Sequence, residues 1–278
     1  MTTSRKSVGC ILGLLALGGT VVAGALIQRR RKRLPVAAER FAVLDVPVDP
    51  LTMAEALARI EAFIAEGTPH HVFTADASGI MRAQEDPELQ AIVQQADLVT
   101  PDGAGVMLAT ELQGMRLPER VSGCDLVERL AQLSAENGYR LYLFGAAEGV
   151  ADAAAAALVE RHPGVQIAGT RHGFFTEDDE VKIVQAINRA KPDILFVALG
   201  IPKQEKFIRK HFELLRAPVM IGVGGSFDVI SGQLSRAPRW MQKSGLEWLY
   251  RLLQEPKRLP RLAALPQFIW TAWRKRKK

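Results

Sequence analysis

Short apolar runs alternate with helical patterns along this chain, at residues 41–46, 71–74, 98–100, 140–144, 165–168, 193–199 and 219–223. Several are apolar throughout, as Ile194-Leu195-Phe196-Val197-Ala198 is. A strand with one face in water alternates apolar and polar residues. A continuous apolar run instead suits a strand covered on both faces, the usual condition of a parallel sheet. Helical patterns fill the intervals. Thr52 and Glu55 have the spacing of a capping box ahead of Ala56, Leu57, Ile60 and Ile64, and further helices are expected over 125–136, 150–161 and 178–190. Gly138 and Gly164 fall where the chain must reverse after a helix. The expected fold class is α/β, a Rossmann-like, mainly parallel sheet with helices on both faces.

In such a sheet ligands collect outside the carboxyl ends of the strands, so the residues after each run carry the functional information. These are Thr74-Ala75-Asp76, Pro101-Asp102-Gly103-Ala104-Gly105, Gly145-Ala146-Ala147-Glu148-Gly149, Gly200-Ile201-Pro202-Lys203-Gln204 and Gly224-Gly225-Ser226. Four of the five join glycine to an expected helix start, where free backbone N–H groups can receive phosphate. Several such loops on one sheet edge suit a nucleotide or another phosphorylated ligand. Neither G-x-x-x-x-G-K-[ST] nor G-x-G-x-x-G occurs, so ATPase and NAD-dependent dehydrogenase readings lose their main support.

With 278 residues, 48% hydrophobic and 24% charged, the chain can bury a sizeable core and is not disordered in bulk. Its two cysteines, Cys10 and Cys124, suggest neither a disulfide framework nor a Cys-rich metal site. The net charge of +6 is unevenly divided: residues 1–33 carry +7, residues 34–235 carry −11 and residues 236–278 carry +10. The same boundaries divide the chain into an anchor with a basic flank, an α/β body, and a basic C-terminal segment expected to associate with the membrane and complete the active site. A nucleic-acid binder more often spreads Lys and Arg over its folded body. Basic ends beside apolar stretches point to an anionic membrane surface and away from nucleic acid.

Residues 8–27 form an uncharged stretch of twenty residues, long enough as a helix to span roughly 30 Å of hydrocarbon. Arg29-Arg30-Arg31-Lys32-Arg33 follows it, against Arg5 and Lys6 before it. The positive-inside rule then places the body in the cytoplasm, with a single-pass N-terminal anchor in the inner membrane. Ala23-Gly24-Ala25 has the form of a signal-peptide cleavage site, but five basic residues just beyond it oppose export. At the other end, Phe268, Ile269, Trp270 and Trp273 precede Arg274-Lys275-Arg276-Lys277-Lys278, a pattern suited to lipid headgroups.

Taken in order, Val99-Thr100-Pro101-Asp102-Gly103-Ala104-Gly105-Val106, Arg120-Val121-Ser122-Gly123-Cys124-Asp125-Leu126, the stretch from Phe196 through Gly200-Ile201-Pro202-Lys203-Gln204-Glu205-Lys206, and Gly222 to Gly232 with Arg236-Ala237-Pro238 form a recognisable set. With Gly245-Leu246-Glu247-Trp248-Leu249-Tyr250-Arg251 and Gln254-Glu255-Pro256-Lys257-Arg258, they resemble the WecG/TagA/CpsF glycosyltransferases, family 26. The resemblance implies transfer of N-acetylmannosamine or a related hexose from a UDP donor to an undecaprenyl-diphosphate-linked sugar. It also implies inversion at the anomeric carbon, a place in bacterial cell-surface polysaccharide synthesis, and no metal or other cofactor.

The chemistry of the residues agrees. An attacking hydroxyl must lose its proton, and Asp102 matches the family's general base. In isolation it would read as an ordinary Asp-Gly turn after a strand. The departing UDP gains negative charge, and arginines can meet it where no D-x-D occurs. Arg120, Arg251, Arg258 and Arg261 match the family's basic positions. The acidic cluster Glu177-Asp178-Asp179-Glu180 reads more simply as a helix-start complement. Gln204 matches a donor-contacting glutamine, with Lys203 beside it. Thr74 and Asp76 match a Thr-x-Asn pair, and here Asp replaces the amide of Asn with a group that only accepts when ionised. If Asp76 approaches Asp102, one of the two carboxyl groups would have a raised pKa. The rival reading is a membrane-tethered nucleotide-sugar-binding protein without transferase activity, for which Asp102 would be dispensable. The oligomeric state, including a homo-oligomer, stays open.

Overall fold

The structure is a computed structural model that describes residues 39–254 and 259–275. The expected membrane anchor at 8–27 lies outside these, and among the described residues no helix is long and apolar enough to cross a membrane. The chain enters through a hairpin, β1 (Phe41–Val43) and β2 (Val46–Val48), followed by α1 (Met53–Glu66), β3 (His70–Ala75), α2 (Ala77–Glu85), α3 (Pro87–Gln94) and β4 (Leu98–Pro101). Then come α4 (Ala104–Leu112), α5 (Gly123–Asn137), β5 (Arg140–Gly145), α6 (Val150–Arg161), β6 (Gln166–Arg171) and α7 (Glu180–Ala190). The last elements are β7 (Ile194–Ala198), α8 (Lys203–Lys210), β8 (Val219–Gly222), α9 (Ser226–Ile230), α10 (Arg239–Lys243), α11 (Glu247–Gln254) and α12 (Leu259–Lys275).

Strands β3 to β8 form one sheet in the order β4-β3-β8-β7-β5-β6. Every pairing in it is parallel. Alternate residues of the apolar runs divide between its faces, as a period of two requires. Val72, Leu98, Leu141, Leu143, Ile194, Phe196, Val219 and Ile221 share one core with side chains of α1, α5, α6 and α9. On the other face, Phe73 and Val99 pack with α2, α3, α4 and α12, while Tyr142, Phe144, Leu195, Val197 and Met220 pack with α7 and α8. Phe196 is fully buried, and truncating it to Ala would cost about 3–5 kcal/mol.

Two local readings are corrected. Residues 41–46 are not one strand: Leu44 and Asp45 have φ of 49° and 63°, and this left-handed pair turns the chain into the antiparallel β1–β2 hairpin. The aromatic cluster near the C-terminus is also not uniformly outward. Phe268 and Ala272, one helical turn apart, are buried against the body, whereas Trp270 is 54% and Trp273 41% exposed. The expected caps are present. Thr52 and Glu55 bond reciprocally at the start of α1, and Gly138 ends α5 in the left-handed conformation. Asp179 makes a second capping box with Thr176 ahead of α7.

Candidate active site

The strand order reverses beside β3: the chain passes directly to β4 on one side, and β8, the last strand, lies on the other. Such a reversal opens a crevice at the carboxyl ends of the strands. Here the crevice is lined from Thr74 near the end of β3 and Asp76 just after it, Asp102 to Gly105 after β4, Gly200, Ile201 and Gln204 after β7, and Val223 to Ser226 after β8. The start of α5 and the start of α11 close it, with Arg120, Ser122, Glu247 and Trp248.

Four of the five glycine-containing or polar loops thus meet at one cavity. The fifth, Gly145 to Gly149, does not line it, because β5 lies one strand farther out than β7. Gly145 has a steric reason instead: at φ 126° a Cβ would sit 2.4 Å from the Ala198 carbonyl oxygen of the neighbouring strand.

Asp102 stands directly after β4, its backbone N–H bonded to Ala75 O at 2.8 Å. Its carboxylate Oδ2 accepts the Gly123 N–H at 3.0 Å, at the first residue of α5. A helix N-terminus favours a negative charge, so the fold orients this carboxylate and keeps it in the crevice. A Cβ on Gly123 would lie 3.6 Å from Asp102 Oδ2, 3.6 Å from Thr74 Cγ2 and 3.5 Å from Ser226 Oγ, which shows how closely three loops converge here. Ser122, the N-cap of α5, accepts from the Asp125 N–H.

Thr74 is buried and donates its hydroxyl to Gly222 O at 2.8 Å, tying β3 to β8. Asp76 is the N-cap of α2, its Oδ1 accepting the Gly79 N–H at 2.6 Å. A cap needs one acceptor oxygen, which Asp and Asn both supply, so the exchange leaves the helix start intact and changes only the other atom of the head group. Ile201 and Asp76 also leave no room at Gly79, where a Cβ would lie 2.6 Å from Ile201 Cδ1 and 3.0 Å from Asp76 Oδ1.

Arg120 donates from Nη1 to Glu247 Oε2 at 2.8 Å, and its Nη2 is 3.8 Å from Asp125 Oδ2. Arg236 joins the same group through Asp125 and Glu247. Burial works against the charge of Arg120, but the hydrogen bond and charge of Glu247, with Asp102 and Asp125, outweigh it and hold the guanidinium above its ordinary range. Gln204 is almost wholly buried. Its Oε1 accepts the N–H groups of Gly200 at 3.1 Å and Gly224 at 3.0 Å, and its Nε2 donates to Glu205 at 2.8 Å. Burial, with a smaller contribution from the charge of Asp76, pushes the Glu205 carboxyl up to about 8.

The structure therefore brings Thr74, Asp76, Asp102, Arg120 and Gln204 to one cavity. Arg251 belongs to α11 and Arg261 to α12, with side chains outside the described part of the structure, and Arg258 lies outside the described residues. Polar lining residues without a sequence assignment include Ser78, Arg82 and Glu247. Ser78 and Arg82 lie one turn apart on the same face of α2, and Arg82 makes no ion pair among the described residues. Glu247 is the first residue of α11 and is buried. The signal for Arg82 was only its i,i+4 spacing from Ser78, and no local signal pairs Glu247 with a residue 127 positions earlier.

The profile of the glycosyl transferase WecG/TagA/CpsF family matches residues 41–278. An N-acetylglucosaminyldiphosphoundecaprenol N-acetyl-beta-D-mannosaminyltransferase of Bacillus subtilis (strain 168) is 36% identical over 195 residues, 70% of this chain and 75% of the relative. The enzyme of the same name from Staphylococcus aureus (strain MW2) is 34% identical over 230 residues, 82% of this chain and 90% of the relative.

Proposed function

The chain belongs to the WecG/TagA/CpsF family of glycosyl transferases, and we propose that it moves N-acetylmannosamine or a related hexose from UDP to an undecaprenyl-diphosphate-linked sugar. The step serves bacterial cell-surface polysaccharide synthesis. The observation that carries the reading is the Asp102 carboxylate, fixed by the Gly123 N–H in a crevice that also holds Arg120.

The acceptor hydroxyl oxygen bonds to the anomeric carbon as the bond from that carbon to the UDP oxygen breaks. The electron pair leaves with UDP, and the hydroxyl proton passes to Asp102. Attack on the side opposite the departing UDP inverts the anomeric centre. The charge that develops on the diphosphate is met by cationic side chains rather than a metal: Arg120 inside the crevice and Arg82 on its α2 wall. Arg251, Arg258 and Arg261 are proposed to join them from the C-terminal segment.

The acceptor's lipid fixes the location of the work. Residues 8–27 are proposed to anchor the chain in the cytoplasmic membrane with the body on the cytoplasmic side. The exposed Trp270 and Trp273, and the basic residues beyond them, would rest α12 on anionic lipid. The test is mass spectrometry of reactions in excess EDTA, offering a panel of UDP-sugars and a short-chain polyprenyl-diphosphate-linked N-acetylglucosamine. The reading expects a hexosyl-extended lipid product and free UDP. No product with any donor would overturn it, and activity restored only by Mn²⁺ or Mg²⁺ would overturn its metal independence.

A further inference from the structure

Helix α8 begins Lys203-Gln204-Glu205-Lys206, yet its second and third residues are buried, Gln204 at 1% exposure and Glu205 at 0%. Two polar side chains taken out of water must be bonded or they destabilise the fold. The Gln204 amide is bonded on both sides. Its oxygen accepts from Gly200 N–H and Gly224 N–H, in the loops after β7 and β8, and its nitrogen donates to Glu205 Oε1. An amide oxygen has two lone pairs, and both are in use. The carbonyl of Gln204 is therefore committed to holding two loops together.

Glu205 completes the bonding of that amide. With an acceptor at 2.8 Å, Nε2 must point to Glu205 and Oε1 to the two glycine N–H groups. A flipped amide would set its NH2 against two N–H donors, so the glycine N–H groups require the same orientation and Glu205 secures the amide from the other side. The backbone is shaped around the pair: a Cβ on Gly222 would lie 2.4 Å from Gln204 Nε2 and 2.5 Å from Glu205 Oε1. The carbonyl of the same Gly222 accepts the Thr74 hydroxyl, so β3, β8 and the loop after β7 are fastened at one point beneath the crevice.

We propose that Glu205 is a positioning residue for the transfer: acting through Gln204, it fixes the Gly200 and Gly224 main chain that forms the donor side of the crevice. This rests on the functional reading above. Burial favours the neutral form of this carboxyl. Its Oε2 has no hydrogen-bond partner among the described residues. The hydrogen-bond donors acting on it are the Gln204 amide and its own backbone N–H, and the charge acting on it is that of Asp76, which opposes ionisation. A carboxylate there would repel both Asp76 and an incoming diphosphate.

The experiment compares the full-length protein with Glu205→Met and Glu205→Gln, measuring donor KM, kcat and UDP affinity by calorimetry. Glu205→Met keeps the volume and removes the acceptor. It is expected to raise donor KM and weaken UDP binding about tenfold while kcat changes less than about threefold. Glu205→Gln offers a carbonyl to the same N–H and is expected to recover most of the loss. The wild-type donor KM should rise between pH 7 and 9 as the buried carboxyl ionises, and that rise should be absent from Glu205→Gln. This second comparison decides the matter should Glu205→Met fail to fold. An unchanged KM in folded Glu205→Met, or the same alkaline rise in Glu205→Gln as in the wild type, would overturn the inference alone. A wild-type protein that neither binds UDP nor turns over a UDP-sugar would overturn the functional reading and this inference with it.

Discussion

Arg120, ahead of α5, and Glu247, the first residue of α11, meet at 2.8 Å across 127 positions of sequence. The guanidinium assigned to the substrate's phosphates is thus held by a carboxylate from the C-terminal segment. A guanidinium has five N–H donors in a rigid fork, so one edge can serve Glu247 while another faces a diphosphate. A lysine has no such division. Arg120→Lys is accordingly expected to lower kcat/KM by about tenfold or more. Glu247→Ala is expected to lower kcat/KM similarly by releasing Arg120, and to reduce stability by about 1–3 kcal/mol for this partly buried pair. Steady-state kinetics and thermal melts of the two variants check this, and a Lys variant with normal kcat/KM would contradict it.

Two buried groups give stability opposite dependences on pH. Burial pushes His71 down to about 4, with Asp97 opposing and Arg209 assisting. In the unfolded chain its pKa returns to about 6.5, so only the unfolded state binds this proton between those values. Stability is then lost as pH falls from about 6.5 to about 4. Glu205 is pushed up to about 8 from an ordinary 4.5, so the folded state retains a proton that the unfolded chain releases. Stability falls as pH rises through that window and levels off above it. Melting temperatures recorded from pH 4 to 9 should show a flatter alkaline side for Glu205→Gln and a flatter acid side for His71→Gln. Curves that superimpose on the wild type would contradict both assignments.

The exposed Trp270 and Trp273 lie on the side of α12 away from Phe268 and Ala272, which hold the helix to the body. Arg274 stacks over the Trp270 ring with its guanidinium carbon 4.6 Å from the centroid. Replacing both tryptophans by Ser should leave the melting temperature nearly unchanged, because neither is in the core. In protein lacking residues 1–33 it should weaken binding to anionic vesicles at low salt several-fold. Equal vesicle binding with and without the tryptophans would remove them from the membrane contact.

The parallel sheet was legible because several of its strands, β7 and β8 above all, are continuous apolar runs, and these remain apolar whichever face each residue takes. Helix α6 at Val150–Arg161 was legible to the residue. The hairpin at Leu44 and Asp45 was hidden, since Leu in a left-handed turn carries none of the usual Gly or Asn signal. In the candidate site, Asp102 and Thr74 could be placed from their positions at the carboxyl ends of apolar runs, Asp102 just after β4 and Thr74 near the end of β3. The inward turn of Gln204 and Glu205 could not, because Lys203-Gln204-Glu205-Lys206 reads as an exposed polar helix start. Its burial follows from Gly200, Gly222 and Gly224, whose backbones approach only in the folded sheet. The loop at Gly145 misled for the opposite reason: its glycine serves strand packing, and strand order, which no local pattern encodes, sets it away from the cavity.

The central claim is that Asp102 takes the acceptor's proton, and Asp102→Asn tests it most directly. The Asn side-chain oxygen can still accept the Gly123 N–H, so the loop and the start of α5 keep their contact while the base is lost. Turnover of a UDP-sugar with the lipid-diphosphate acceptor, measured alongside UDP affinity by calorimetry, separates chemistry from binding. The account predicts a fall in turnover of about a hundredfold or more, with UDP affinity nearly unchanged. Near-normal turnover in the folded variant would contradict it.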